Sequence, residues 1–153
     1  MLRLTRTIYM EMVAHCLVGL PDEACGLLVG PYGGDETTHL FVTANAAASA
    51  MVYEIDPKEM LRVDRAAQEV GADIMGVFHS HTHTDAYPSP TDVAQALDPG
   101  WHYVLVSLRD THPVVRSYSI VEDVITEEPV DVPGLEREPG VAAPGAGRPE
   151  RSS

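Results

Sequence analysis

An apolar run, Ile74-Met75-Gly76-Val77-Phe78, passes without a break into His79-Ser80-His81-Thr82-His83. The run is too short for a helix of ordinary length and predicts a strand. Side chains two residues apart on a strand share a face, so His79 and His81 can converge on one ion where the strand opens into a loop. His83 continues the alternation, and spacing alone admits it as a third partner.

The rest of the chain reads as a mixed α/β (α+β) domain around that strand. Ile8, Met12, Val13, Cys16 and Leu17 recur at helical spacing, and Gly19 and Pro21 end that helix. Ala24 to Val29 and Leu40 to Ala44 read as strands separated by a turn at Gly33-Gly34-Asp35. Asp56-Pro57 opens a second helix, with a capping acid before a proline, and it runs to about Val70. Ser89-Pro90-Thr91-Asp92 opens a third, reaching about Leu97. Trp101 to Leu108, Val114 to Val121 and Val124 to Val130 read as three further strands. This predicts one domain over residues 1–131. Residues 132–153, rich in Pro, Gly and Ala, carry too little apolar surface to offset ordering and are expected to be disordered. No internal repeat is visible.

Ten Lys and Arg against 23 Asp and Glu give a net charge of −13. That field repels phosphate backbones and anionic membrane surfaces, so neither nucleic acid nor membrane is expected as a partner. No apolar run approaches the roughly 20 residues of a membrane span, and no secretory signal precedes the first helix. Cys16 and Cys25 read as two buried thiols, and a cytoplasmic protein is the expectation.

The chemistry gathers around the histidines. Seven residues separate His81 from Ser89, and Asp92 lies three beyond it. If Ser89 caps the helix, Asp92 falls in its first turn, where the helix dipole favours a carboxylate that can face back to the strand end. Two imidazoles and one carboxylate leave a fourth tetrahedral position for water, the ligand count of a catalytic zinc site. Upstream, Glu23 in Pro21-Asp22-Glu23-Ala24-Cys25-Gly26 lies just before an apolar strand and can serve as a base beside the metal. Asp22 competes for that role.

Taken together, Glu23, then His79-Ser80-His81, seven residues, Ser89, two residues and Asp92 resembles the motif of the JAMM (MPN-plus) metalloprotease family at every motif position. Pro21-Asp22-Glu23-Ala24-Cys25-Gly26, Ala86-Tyr87-Pro88-Ser89 and His102-Tyr103-Val104-Leu105-Val106-Ser107 bring the chain closer to one branch, the bacterial Mec peptidases. The resemblance covers about residues 1–131. It implies the JAMM/MPN, cytidine-deaminase-like fold, a mixed sheet flanked by helices. It further implies one Zn²⁺ per chain, held by His79, His81 and Asp92, with Glu23 as proton shuttle and Ser89 as donor to the developing oxyanion. His83 and Tyr87 are then left as substrate contacts. The substrate it implies is a ubiquitin-like sulfur-carrier protein with a Gly-Gly C-terminus, from whose glycyl-cysteine amide the peptidase releases cysteine. Asn45 to Glu54 is either a sheet edge that guides the carrier's tail or a plain loop. The alternatives are another ubiquitin-like conjugate, a small peptide or amide substrate, or a non-catalytic assembly module. A homodimer is compatible with the sequence.

Overall fold

In the computed structural model, residues 1–135 are described, and the expected disorder of the tail falls mostly outside them. The elements in chain order are β1 (Leu2–Arg3), α1 (Arg6–Gly19), β2 (Cys25–Gly30), β3 (His39–Thr43), α2 (Pro57–Glu69), β4 (Asp73–His81), α3 (Pro90–Gln95), β5 (His102–Ser107), β6 (Val114–Val121), β7 (Val124–Glu128) and β8 (Val130–Asp131). Six strands form one mixed sheet in the order β3-β2-β4-β5-β6-β7. Within that sheet only β4 and β5 are parallel neighbours, joined by the crossover that carries α3. The mixed α/β architecture agrees with the sequence reading.

Alternation along the strands splits the core in two. Leu28, Phe78, Val104 and Val106 pack with Ile8, Met12 and Cys16 of α1 on one side of the sheet. Leu27, Val77, Tyr103 and Leu105 pack with Val63 and Ala67 of α2 on the other. A strand's period of two therefore puts His79 and His81, which follow Val77 at even spacing, on the α2 side. Gly26, opposite Phe78 in the ladder, makes room for that ring: a Cβ there would stand 2.4 Å from the Phe78 edge.

The helices begin where their caps dictate. Thr5 Oγ1 accepts from the Ile8 N–H at 3.1 Å, and Asp56 Oδ1 accepts from the Lys58 N–H at 2.7 Å with Pro57 at the first helical position. Two details depart from the expected elements. The strand expected over 124–130 divides at Pro129, which has no N–H to donate, leaving β8 to pair in parallel with β1. That two-residue β1 was too short to carry a sequence pattern. Val132 packs against the α1-side core, so the chain just past Asp131 is still placed; we keep the domain boundary there as a proposal.

His102, with no partner spacing in the sequence, is buried and pairs with Glu128, whose carboxylate also accepts from Ser117 Oγ at 2.6 Å and from the N-terminal ammonium at 3.1 Å. Burial alone would raise the Glu128 pKa, but hydrogen bonds from His102 and Ser117 outweigh it and hold the acid down at about 2. Burial would lower that of His102, and the Glu128 bond outweighs it in the opposite direction. Glu128 thus contributes stability above its ordinary carboxylate range that fades as pH falls from about 4.5 toward 2. The His102 contribution is complete below its ordinary value near 6.5 and fades as pH rises through its raised one. Urea unfolding across pH should show the acid loss, on the order of 2 kcal/mol, in the unmodified protein and a flatter acid limb in Glu128→Gln.

Candidate metal centre

His79 and His81 lie at the carboxyl end of β4, where parallel β4 and β5 open toward α3. Both rings are buried, and their Nε2 atoms stand 3.2 Å apart. Asp92 Oδ2 meets both, at 3.1 Å from His79 Nε2 and 3.0 Å from His81 Nε2. Three ligands about 2.0–2.2 Å from a zinc ion at tetrahedral angles would stand about 3.3–3.6 Å apart, so the triangle of donor atoms needs to widen by only a few tenths of an ångström to hold one.

Proton bookkeeping makes the same point. His81 Nδ1 lies 2.8 Å from the Asp85 carbonyl oxygen, which can only accept. Nδ1 therefore donates, and in the neutral ring Nε2 presents a lone pair to a carboxylate oxygen. Lone pairs from two imidazoles and a carboxylate converging at 3.0–3.2 Å repel one another unless a proton or a cation lies between them. Among protein groups alone, protons must fill that role. Burial would lower the pKa of His81, but the bonds to Asp92 and to the Asp85 carbonyl raise it; burial prevails at His79 and lowers it. Burial would raise Asp92, and hydrogen bonds from the two histidines drive it far below the usual carboxylate range. A divalent cation satisfies all three atoms at once.

Asp92 is held by its own helix. Ser89 Oγ accepts from the Asp92 N–H at 3.1 Å, and the Ser89 N–H donates to Asp92 Oδ2 at 2.8 Å, a reciprocal capping box. Capping and facing the histidines are thus compatible roles for one carboxylate. Ser89 Oγ spends a lone pair on the cap and keeps its hydroxyl proton for another acceptor.

Glu23 reaches the same place from the neighbouring strand. Cys25 of β2 pairs with His79 of β4, and the Ser80 N–H donates to the Ala24 carbonyl, so the residue before Ala24 flanks His81. Carboxylate and ring donor atoms of Glu23, His79 and His81 lie within 4.8 Å of one another. Two donor sets therefore share the histidines, one with Asp92 and one with Glu23. Asp92, whose oxygen lies within 3.1 Å of both rings, is the better placed of the two to join them in holding an ion. Glu23 is buried, and its Oε2 has no hydrogen-bond partner among the described residues. An orphaned buried oxygen beside a cation-sized gap suits a group that handles water. Burial, reinforced by Asp92 and opposed by His81, pushes the Glu23 pKa up to about 7. Asp22 is half-buried and stands outside this cluster.

His83 and Tyr87 do not join the donor atoms. Both are exposed on the loop after β4, with Tyr87 edge-on to Tyr118 at 5.6 Å. They line, with His81, Ser89, Asp85 and Arg109, a cavity of about 390 Å³ at the mouth of the centre. A larger hollow of about 680 Å³ lies at the other end of β4, beside Asp73 and Ile74, away from the histidines. Sequence reasoning missed Tyr53, whose ring stacks on His79 at 4.2 Å and 20°. It also missed Asp85 as the orienting partner of His81. Neither has a motif, because a stacking ring can come from any well-placed aromatic residue and a main-chain carbonyl from any residue at all. The segment 45–54 is a loop and not a strand, gathered around Asn45, whose Nδ2 donates to the Glu23 carbonyl at 3.0 Å and whose Oδ1 accepts from the Ala47 and Glu54 N–H groups.

Residues 5–121 match the family model of prokaryotic homologues of the JAB domain. The CysO-cysteine peptidase of Mycobacterium tuberculosis is 48% identical over 122 residues, 79% of this chain and 84% of that protein. A solution structure of a protein from Desulfitobacterium hafniense superposes with a TM-score of 0.79 at 36% identity, covering 86% of this chain and 92% of that one. A structure described as a JAMM metalloprotease-like zinc site in the proteasome and signalosome shares the fold, with a TM-score of 0.55 at 17% identity over 86% of this chain and 97% of that one.

After zinc loading and desalting, the protein should retain about one ion per chain. Metal analysis should find it lost from His81→Ala and Asp92→Ala and kept by His83→Ala. Retention in Asp92→Ala with loss in His83→Ala would exchange the two as ligands.

Proposed function

This chain belongs to the prokaryotic JAB-domain family and is a JAMM-type metallopeptidase, and from that premise we propose that it hydrolyses the C-terminal glycyl-cysteine amide of a ubiquitin-like sulfur-carrier protein, releasing cysteine. Supporting the substrate is the 48% identity to a peptidase named for a CysO-cysteine bond, matched over 84% of its length. One observation carries the chemistry: three donor atoms within 3.2 Å of one another beside the orphaned oxygen of Glu23.

His79, His81 and Asp92 would hold the ion, which we take to be Zn²⁺ from the imidazole and carboxylate donor set. When bound, such an ion supplies Lewis acidity that makes water nucleophilic near neutral pH. Glu23 accepts a proton from the attacking water at the free Oε2 and returns it to the nitrogen of the leaving cysteine. The water oxygen bonds to the glycyl carbonyl carbon, and the carbon–nitrogen bond breaks. The products are a carrier ending in a glycine carboxylate and free cysteine. Ser89, whose oxygen is fixed by the Asp92 N–H, directs its hydroxyl proton to the carbonyl oxygen as that atom gains charge. Asp85 fixes the tautomer of His81 through its carbonyl, and Tyr53 holds the plane of His79 by stacking.

A glycine-rich tail suits the entrance. Without side chains it can lie extended against main chain where bulkier residues would clash. His83 and Tyr87 stand where they can touch what the tail carries.

Intact-mass analysis of a cysteine-extended Gly-Gly carrier incubated with the zinc-loaded enzyme should show loss of one cysteine. An unchanged carrier mass would reject the substrate. Glu23→Gln should keep its zinc while turnover falls about 10²- to 10⁴-fold, and near-normal turnover would transfer the role to Asp22. Ser89→Ala should lower kcat about 10²- to 10³-fold at similar metal content.

A further inference from the structure

The cavity of about 390 Å³ beside the metal centre is lined by one strong cation, Arg109, together with His81, His83, Asp85, Tyr87 and Ser89. Arg109 follows the end of β5, and its Nη1 donates to Asp85 Oδ1 at 2.8 Å. The guanidinium is half-exposed, and its other N–H groups have no hydrogen-bond partner among the described residues. The loop that carries Asp85 is itself anchored: Ser107 Oγ donates to the Thr84 carbonyl at 2.6 Å, and the Tyr118 hydroxyl donates to the Ala86 carbonyl. A guanidinium restrained at one edge by a fixed carboxylate, with its other edge open, is prepared for a planar anion.

The position of this cation bears on the two halves of the scissile amide. The glycine half needs only a slot for main chain. The departing half carries a side chain and, if it is a single residue, a free α-carboxylate at the very end of the substrate. A chain with net charge −13 repels that carboxylate unless a local cation reverses the field. Arg109 lines the same cavity as Ser89, the donor to the reacting carbonyl in the proposed chemistry, and His81, a ligand of the ion there.

We propose that Arg109, with His83 beside it, forms a subsite for the free α-carboxylate of the departing residue, so that the enzyme removes a single C-terminal amino acid. This rests on the glycyl-cysteine peptidase reading above and adds to it the residue that recognises the free carboxylate of the departing amino acid. Arg109 is a specificity residue here, since it touches a part of the substrate that does not react.

The test uses two carriers that differ in one group, ending in Gly-Gly-Cys with a free carboxylate or with a carboxamide. For the zinc-loaded, unmodified enzyme, kcat/KM should be about 10- to 100-fold higher for the acid than for the amide, the worth of a charge-assisted hydrogen bond. In Arg109→Gln that ratio should collapse toward one, and in Arg109→Lys it should lie between, because the charge stays and the fork is lost. If Arg109 serves only to strap the loop through Asp85, the variant slows both carriers alike and the ratio survives, which overturns the proposal. A ratio near one in the unmodified enzyme overturns it too, while leaving the peptidase reading intact. Cleavage of neither carrier by that enzyme rejects both.

Discussion

Cys25 lies opposite His79 in the antiparallel ladder between β2 and β4, with the Ser80 N–H closing on the Ala24 carbonyl one step further. That pairing delivers Glu23 from one strand to the flank of two histidines on another. A slip of one residue along β4 would turn His79 and His81 to the α1 side of the sheet, among Leu28, Val104 and Met12. The register is keyed by packing. Phe78 sits across from Gly26, the one residue type that leaves its ring room, and Ser80 Oγ accepts from the Ala24 N–H at 2.8 Å on the same face. The α1 side of the sheet thus sets the alignment that the α2 side uses for chemistry.

Around that register the protein accepts a local electrostatic penalty. Three buried groups with lone pairs are pressed within 3.2 Å of one another, and a fourth group, the Glu23 carboxylate, has one oxygen with no hydrogen-bond partner among the described residues. Such crowding costs free energy in the absence of a cation. It persists because each group is fixed by something outside the cluster. The capping box holds Asp92, the Asp85 carbonyl holds His81, the Tyr53 ring holds His79, and the Asn45 amide holds the Glu23 carbonyl. The scaffold keeps the donors poised, so little reorganisation would accompany capture of an ion in the proposed function.

The sequence carried the spine of this arrangement because each part used a periodicity or a cap. His79 and His81 followed from alternation on β4, and Asp92 followed from the Ser89 cap. The approach of Glu23 required pairing between strands about fifty residues apart, which local patterning does not encode; there the family motif supplied what periodicity lacked. Segment 45–54 illustrates the opposite case. Its side chains suited either an edge strand or a loop, and the choice fell to one amide, Asn45, whose donors and acceptor close the loop on itself. The single strand expected over 124–130 was broken by one missing N–H at Pro129. The Tyr53–His79 stack and the His102–Glu128 pair join residues 26 apart in sequence, which only the folded chain brings together, and the Asp85 carbonyl that meets His81 four residues earlier is main chain and leaves no mark in the residue type.

The parallel pairing of β1 with β8 has a practical corollary. Leu2, Leu4, Val130 and Val132 all pack on the α1 side, so the first and last described segments run side by side on the face turned away from the histidines. Cargo fused directly to Met1 or to the end of β8, whether a purification tag, a surface linker or a domain, would therefore be carried behind that face. A short covalent bridge joining Met1 to the end of β8 would span neighbouring strands, leaving the entrance to the reaction centre open for a new pair of ends elsewhere.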